Sequence, residues 1–283
     1  MALVEPILGE PAAVADLEGE RAADSVEAAD GRAGSSATSE VEGTETSERG
    51  SGEAATREQA LVVADYHAGI ERSLRREGLE VQSRAEHRRE RVLDLVSETQ
   101  PDRIIFLGDL GHAIGTPEGA EHDELDALFD ALDVPVTLVV GNHDGGLADE
   151  FDLDATPPEG ARFGDVGFAH GHTWPAPEVL EAETVCVGHE HPTVRLEDEV
   201  GGTRVERAWL RGPLDAAPFE EYHGETIDVH GDLAVVPAFN DLSGGTWVNV
   251  EGQEFLAPFL PEACPDAQLY LLDGTRLGRY RDV

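Results

Sequence analysis

Five short apolar runs, each ending in a cluster of Asp, His, Asn or Gly, constrain the fold of this chain more than any other feature of its sequence. Continuous apolar runs of this length, rich in β-branched residues, are typical of strands buried on both faces. The runs with their polar ends are ALVVAD (60–65), RIIFLGD (103–109), PVTLVVGNHD (135–144), DVGFAHGH (165–172) and TVCVGHEH (184–191). The pattern predicts a central sheet whose strands all end in polar loops.

The segments between and after these runs predict the fold class. Residues 84–97 and 123–129 have helical spacing of apolar residues, and alternating strands and helices indicate an α/β fold with a largely parallel sheet. From residue 193 the chain shows strand-like runs separated by Gly, Pro and Asn, which predict a second, mixed or antiparallel sheet packed on the first. These runs are RVERAWL (204–210), LAVVPAF (233–239), GTWVNV (245–250) and QLYLLD (268–273).

The N-terminal region differs from the rest in composition. Residues 18–58 are a mixture of Glu, Ala, Ser, Gly and Thr without apolar periodicity, which predicts a disordered acidic insert. Before it, the short apolar piece 3–8 within residues 1–17 is expected to form an edge strand. Residues 59–283 are expected to form a single domain.

The charge balance restricts the partners and the solvent that suit this chain. It has 59 acidic and 20 basic residues, all of the basic ones Arg, for a net charge of −39. Such a surface argues against passive, charge-driven binding to nucleic acid or to an anionic membrane. It suits a halophile's cytosol, where multimolar salt shortens the screening length to about 3 Å. With no stretch of about 20 apolar residues and no basic leader, we expect a soluble cytoplasmic protein.

The polar ends of the five runs contain seven of the eleven histidines. The carboxyl ends of strands in an open α/β sheet line one crevice, so these side chains are expected to meet there. Carboxylates, imidazoles and amide oxygens bind Mn, Fe, Zn and similar divalent ions. One metal does not need so many ligands, so two metals sharing a carboxylate are expected; such a pair, about 3.5–4 Å apart, clamps both oxygens of an in-line phosphoryl displacement. The residues are Asp65, His67, Asp109, Asn142, His143, His170, His189 and His191.

In their order and content these motifs resemble the signature of the calcineurin-like metallophosphoesterases. They are Asp65-Tyr66-His67, Gly108-Asp109, Gly141-Asn142-His143-Asp144, His170-Gly171-His172 and Gly188-His189-Glu190-His191. GDLGH at 108–112, PAFN at 237–240 and LLDGTRLG at 271–278 are further similar to the archaeal SbcD-related phosphoesterases and to the phosphoesterases found beside DNA ligases. The resemblance implies a four-layer αββα sandwich of two mixed β-sheets flanked by helices.

The resemblance also implies a role for each matching residue. The first metal would be held by Asp65, His67 and His191, the second by Asn142, His170 and His189, with Asp109 bridging both. Manganese is the first choice, with Fe, Zn or Ni as alternatives. A metal-bridging hydroxide would attack phosphorus in line. His143 would stabilise or protonate the departing oxygen, and Asp144 would orient the His143 imidazole.

Four more residues are candidates for contacts behind the metals or to the substrate. His112 stands where many family members carry Asn or Asp, and we favour a supporting or substrate-phosphate contact for it. His172 either faces the crevice or caps its loop. Arg72 and Arg75 begin an Arg-rich window, 72–91, which is either a salt-bridged helix face or a phosphate track leading into the crevice.

Two functions from different classes remain open on the sequence. The first is hydrolysis of a phosphodiester in a nucleic acid or a nucleotide. The second is a metal-stabilised, non-catalytic interaction module that docks on a helicase, ligase or repair partner. His143 and Asp144 favour the enzyme, because a scaffold has no need of a non-ligating histidine beside its metals.

Overall fold

The computed structural model describes residues 3–18 and 57–283. Apart from its end residues 18, 57 and 58, the predicted acidic insert lies outside the described residues. The described part of the chain forms two β-sheets packed face to face between helices, so the predicted αββα sandwich is confirmed.

The first sheet has six strands in the order of the chain. Its C-terminal four strands are parallel, and the first two form an antiparallel hairpin that makes one edge. The outermost strand lies where the sequence places an edge strand. The strands are β1 (Val4–Pro6), β2 (Ala12–Glu18), β3 (Arg57–Ala64), β4 (Arg103–Leu107), β5 (Val136–Val139) and β6 (Asp154–Thr156).

The second sheet is mixed, as predicted. Its order is β14-β13-β11-β12-β9-β8-β7, and β10 pairs with β11. Strands β8, β9 and β12 run parallel, and the remaining pairs are antiparallel. The strands are β7 (Ala161–Phe163), β8 (Val166–Ala169), β9 (Thr184–Val187), β10 (Thr193–Glu197), β11 (Thr203–Pro213), β12 (Asp232–Val235), β13 (Gln268–Leu271) and β14 (Arg276–Arg279).

Helices cover the outer faces of both sheets. They are α1 (Ile70–Arg76), α2 (Ala85–Thr99), α3 (Ala120–Phe129), α4 (Leu147–Phe151), α5 (Pro177–Leu180) and α6 (Ala217–His223). The side chains of α2 and α3 pack on the first sheet, and those of α5 and α6 on the second. None of the helices in residues 3–18 and 57–283 is long and apolar enough to cross a bilayer.

The core is divided into three layers by the alternation of side chains along each strand. On β3, Val62 points into the core between the two sheets, whereas Leu61 and Val63 pack under the helices. Cys186 on β9 meets the core between the sheets in the same way. Both faces of these strands are buried, which is why they appear in the sequence as continuous apolar runs.

One predicted strand is absent. Residues 245–250 form turns, with a single isolated bridge between Trp247 and Thr193. The amide of Val250 donates to the carbonyl of Trp247, 3.0 Å away, so the chain reverses before a second bridge can form. Val248 of this segment is buried in the core under the second sheet, whereas Trp247 is 40% exposed.

Candidate metal centre

The polar ends of four strands meet at one edge of the sandwich. Asp65 follows β3, Asp109 comes two residues after β4, His170 follows β8 and His189 comes two residues after β9. β3 and β4 are parallel neighbours in one sheet, and β8 and β9 are parallel neighbours in the other. Because the two sheets pack face to face, these four strand ends converge.

The convergence produces two groups of possible metal ligands, the first of Asp65, His67 and His191 and the second of Asp109, His170 and His189. Within each group the ligand atoms all lie within 4.8 Å of one another. Asp109 also reaches the first group: its Oδ2 lies 3.9 Å from Nε2 of His67 and 3.8 Å from Nε2 of His170. The two groups therefore form one continuous centre with Asp109 between them.

The ligand loops adopt a strained backbone. Seven non-glycine residues of the described chain have positive φ, and five of them belong to the two groups. This conformation costs about 1–3 kcal/mol per residue and persists where the surrounding structure imposes it, typically at functional sites. The five are Asp65 (φ 53°), His67 (48°), Asp109 (44°), His189 (64°) and His191 (44°).

Two glycines allow the ligands to pack this closely. A Cβ added to Gly108 would overlap the ring of His170, and one added to Gly141 would overlap the backbone and the carboxylate of Asp109. Gly108 also has φ +72°, which disfavours any side chain. The glycines of the GD and GNHD motifs are thus required by the approach of one ligand loop to another.

Asp65 is ionised and lies at the bottom of the centre. Its Oδ1 lies 3.1 Å from Nε2 of His170 and 3.2 Å from Nε2 of His191, and the amide of His189 donates to its Oδ2 over 3.1 Å. Burial raises the pKa of Asp65, but His191 and His170 outweigh burial and hold this pKa far below its usual range. The carboxylate is therefore charged and fully buried.

Two of the histidines are held neutral by their surroundings. Burial lowers the pKa of His67 to about 3, and burial together with the nearby His170 lowers that of His189 to about 4. A neutral imidazole is the form that binds a metal. Buried carboxylates and neutral imidazoles in these groups fit divalent ions of the Mn, Fe or Zn type.

Asn142 and His143 continue the loop after β5. The amide of His143 donates to Oδ1 of Asp109 over 3.0 Å, which fixes the loop on the centre. Gly141, on the other side of Asn142, also packs on Asp109. Asn142 itself is exposed.

His143 faces the centre without joining either group. Its ring stacks on that of His112 at 5.6 Å and 18°, and its Nδ1 donates to the carbonyl of His112 over 2.5 Å. Nε2 consequently points to the centre, 3.8 Å from Oδ2 of Asp109.

Asp144 has a different partner from the one expected. The resemblance implies that Asp144 orients the His143 imidazole, but that contact belongs to the His112 carbonyl. Asp144 instead accepts hydrogen bonds from the amides of Leu110 (2.8 Å), Gly111 (3.3 Å) and Gly141 (2.8 Å). Consecutive side chains diverge in this turn, and Asp144 ties the loop after β4 to the loop after β5. Burial, with Asp109 nearby, raises the pKa of Asp144 to about 6.

His112 and His172 each support a candidate ligand from behind. Nδ1 of His112 lies 3.5 Å from Nδ1 of His67, and Nδ1 of His172 lies 3.0 Å from Nδ1 of His170. Contacts of this kind fix the tautomer and the orientation of a ligating imidazole. The His172 ring also lies 6.1 Å from that of His189, so it contacts two candidate ligands of the second group.

A cleft of about 800 Å³ opens beside His112 and His143. Arg72 and Arg76, four residues apart on α1, both line it. Arg75 does not: its Nε donates to the carbonyl of Val81 over 2.8 Å, away from the cleft. Only one of the two expected arginines therefore lines the cleft, because the Arg75 guanidinium is engaged by the Val81 carbonyl instead.

Asn240 of the PAFN motif holds the first ligand loop, a role that the sequence analysis did not assign to it. Its buried Nδ2 donates to the carbonyls of Tyr66 (3.0 Å) and His67 (3.1 Å). Glu190 was also missed: it is fully buried between two candidate ligands, and its Oε2 accepts from the amides of Leu256 and Ala257. The motif itself was the available signal for Asn240, whereas nothing in the sequence pattern marks the distant partners of Glu190.

Comparison with known proteins identifies the family. The family model described as "Calcineurin-like phosphoesterase" matches residues 59–234, more than half of the chain. The crystal structure of the nuclease MPE from Pseudomonas putida is similar at 20% identity and a TM-score of 0.49, covering 76% of this chain and 84% of that chain. The phosphoesterase Yfce from E. coli is similar at 18% identity and a TM-score of 0.30, covering 49% of this chain and 73% of that chain. No curated protein matches.

The family match and the geometry refer to the same part of the molecule. Residues 59–234 include both ligand groups, the loop of His143 and most of the two sheets that bring them together. The two solved structures, each under 25% identical and with a TM-score below 0.5, add nothing to the assignment. On the extent of the family match, this chain belongs to the calcineurin-like phosphoesterase family.

Proposed function

We propose that this protein is a two-metal phosphoesterase that hydrolyses phosphodiester bonds. One observation carries the proposal. Oδ2 of Asp109 lies within 4 Å of His67 in the first group and of His170 in the second, and Nε2 of His143 lies 3.8 Å from the same oxygen. His143 nevertheless belongs to neither ligand group. A histidine so placed can exchange a proton with a substrate held at the centre.

The proposed roles follow the two groups. Asp65, His67 and His191 hold one ion, His170 and His189 hold the other with Asn142 as an additional ligand, and Asp109 contacts both. When bound, two such ions supply an activated water and positive charge for the attacking and leaving oxygens of an in-line displacement. The exposure of Asn142 leaves its side chain free to turn toward the second group.

His143 acts on the leaving group. Its Nδ1 is engaged by the His112 carbonyl, so the proton that it passes to the departing oxygen is held at Nε2. The adjacent cleft of about 800 Å³ has room for a leaving group the size of a nucleoside. Several finer predictions remain part of this proposal: manganese as the metal, DNA or a nucleotide as substrate, kinship with the archaeal SbcD-related group, a salt-rich cytoplasm, and a helicase, ligase or repair partner.

The test compares His143 with a histidine outside the centre. Metal-free protein is reloaded with Mn²⁺ in high salt and assayed on bis-p-nitrophenyl phosphate and on the mono-ester. We expect His143→Ala to lower kcat on the diester by about 10²–10⁴-fold, the usual contribution of a general acid, while bound metal is retained. His122, which lies beside Glu150 and Phe151, supplies the control His122→Ala, with turnover like wild type.

Equal, negligible turnover of the wild type and His143→Ala on both esters and on short DNA would contradict the proposal. That result would favour the non-catalytic interaction module, provided that metal is still bound.

A further inference from the structure

The cleft beside His143 carries two guanidinium groups that the proposed chemistry does not use. Arg72 and Arg76 lie on one face of α1 and are both exposed. They share the cleft with His112 and His143, so they lie on the side from which the leaving group departs.

Among the residues that the structure describes, these two arginines have no carboxylate partner. Nη1 of Arg72 donates to the carbonyl oxygen of Glu118 over 3.2 Å, and within residues 3–18 and 57–283 neither Arg72 nor Arg76 forms an ion pair. Arginines just after them in the sequence do pair, such as Arg84 with Asp241 and Arg91 with Glu10. Arg75 and Arg89 also lack an ion pair within the described residues, so what sets Arg72 and Arg76 apart is that both line one cleft in a chain with 59 acidic and 20 basic residues.

The acidic residues of the cleft form no ion pair with these arginines. Glu121 is buried, and its Oε1 accepts hydrogen bonds from the amides of His112 (2.7 Å) and Ala113 (2.9 Å). Its charge is thus directed at the backbone of the loop after β4. Glu118 is exposed and contributes its backbone carbonyl, not its carboxylate, to Arg72.

We propose that Arg72 and Arg76 bind a second phosphate carried by the leaving group. Guanidinium forks match the geometry of phosphate oxygens, and two of them four residues apart on a helix can hold one phosphate between them. The inference rests on the proposed function and narrows its substrate class to phosphodiesters flanked by a further phosphate, as in an oligonucleotide. Ile114, 83% exposed in the same cleft, offers apolar surface to the sugar or base between the two phosphates.

The test measures selectivity for the second phosphate. The Mn²⁺-loaded enzyme is assayed on the dinucleotide TpT and on TpT bearing one extra phosphate at its 5′ end or at its 3′ end. Only one of the two phosphorylated dinucleotides carries its extra phosphate on the leaving nucleoside. The wild type should prefer this dinucleotide over TpT by about tenfold in kcat/KM, mostly through a lower KM. In Arg72→Gln/Arg76→Gln this ratio should fall to about one, since the charged hydrogen bonds are lost.

The control removes the same charge elsewhere. In Arg75→Gln/Arg89→Gln, neither altered residue lines the cleft, so the wild-type ratio should be kept. If the control loses the ratio as the cleft variant does, the effect is one of overall charge and the inference is wrong.

The remaining outcomes separate the inference from the proposed function. Turnover of bis-p-nitrophenyl phosphate with no preference for either phosphorylated dinucleotide would overturn the inference and leave the phosphoesterase standing. Binding gives a readout that needs no turnover: Mn²⁺-loaded wild type should bind thymidine 3′,5′-bisphosphate more tightly than thymidine 5′-monophosphate, and Arg72→Gln/Arg76→Gln should not. Equal affinities in the wild type would overturn the inference even if no ester is hydrolysed.

Discussion

Two buried charged clusters lie side by side in this molecule, and they are balanced in different ways. The ion cluster consists of Glu71, Arg88 and Glu124: Arg88 donates to Glu71 over 3.0 Å and to Glu124 over 2.6 and 2.9 Å. The metal centre, meaning the two ligand groups of Asp65, His67, His191, Asp109, His170 and His189, has two buried carboxylates, and within the described residues neither forms an ion pair with an arginine. The chain itself supplies the cation of the first cluster, whereas in the proposed function bound ions would supply the cations of the second.

The ion cluster supports the metal centre mechanically. The loop that carries Asp65 and His67 ends at Gly69, whose amide donates to Oε2 of Glu124 over 2.9 Å. The amide of Arg84, which precedes α2, donates to Glu71 over 2.8 Å. The ion cluster thus fixes α1, α2 and α3 around the first ligand loop, so that this loop is anchored without a bound metal.

Breaking the ion cluster should give the largest loss of stability. Arg88→Met leaves Glu71 and Glu124 buried without a cation, and we expect the free energy of unfolding to fall by about 3–5 kcal/mol. Chemical denaturation measures this loss. Arg89→Met, at the next and less buried position of α2, is the control and should change stability little.

A triple variant tests the cause. In Glu71→Gln/Arg88→Met/Glu124→Gln the amide oxygens can still accept from Arg84 and Gly69, so most of the lost stability should return. A loss below about 1 kcal/mol for Arg88→Met alone would mean that the cluster is not a buried ion network.

The two clusters should also respond to acid in different pH ranges. Burial lowers the pKa of His170 and His191, but Asp65 outweighs burial and leaves both above the ordinary 6.5. Metals bind the neutral imidazole, so Mn²⁺ affinity should fall as pH drops through these raised values, by about tenfold per pH unit for each proton that binding must release. Calorimetric titration at several pH values measures this slope.

Glu71 responds lower on the pH scale. Burial raises its pKa, but Arg88 outweighs burial and holds it below the ordinary 4.5. A carboxylate with a lowered folded-state pKa stabilises above its unfolded pKa, and that stability is lost as pH falls through the folded value. The stability difference between wild type and Glu71→Gln should therefore persist at pH 5–6 and shrink only below about 4.5. If Mn²⁺ affinity and the stability difference between wild type and Glu71→Gln were lost over the same pH range, the two clusters would not differ in their response to acid.

The smallest effect is expected where a left-handed backbone serves neither cluster. Gln100 ends α2 with φ 50°, close to the values at the metal ligands, but lies outside both clusters. Gln100→Gly should relieve this conformation and raise the free energy of unfolding by about 0.5–1 kcal/mol. If Gln100→Gly does not raise the free energy of unfolding, a left-handed non-glycine residue costs little stability in this protein. The positive φ of the metal-ligand residues would then not be evidence of strain.

The sequence predicted the sheets well because their strands are buried on both faces. A short, continuous apolar run such as RIIFL (103–107) is typical of a buried strand, and this run forms β4. Residues 245–250 also have strand-forming residues, but their single β-bridge is to Thr193, because the turn that begins at Trp247 ends the pairing there.

The sequence indicated which residues come together at the site, but not where their side chains point. Strand ends indicate which residues meet, since parallel neighbours end at the same edge. They do not indicate where adjacent side chains point, which is why Asp144 was assigned to His143 and binds backbone amides instead. For the same reason Arg75 was expected in the cleft that Arg72 and Arg76 line.

The direct test of the dinuclear centre is its metal stoichiometry. Metal-free protein is titrated with Mn²⁺ above pH 7 by calorimetry, and the bound metal is counted after gel filtration. The account predicts two ions per chain in the wild type and loss of both sites' tight binding in Asp109→Ala, because Asp109 lies between the two groups. One ion or none per wild-type chain, or an Asp109→Ala variant that still binds two tightly, would contradict it.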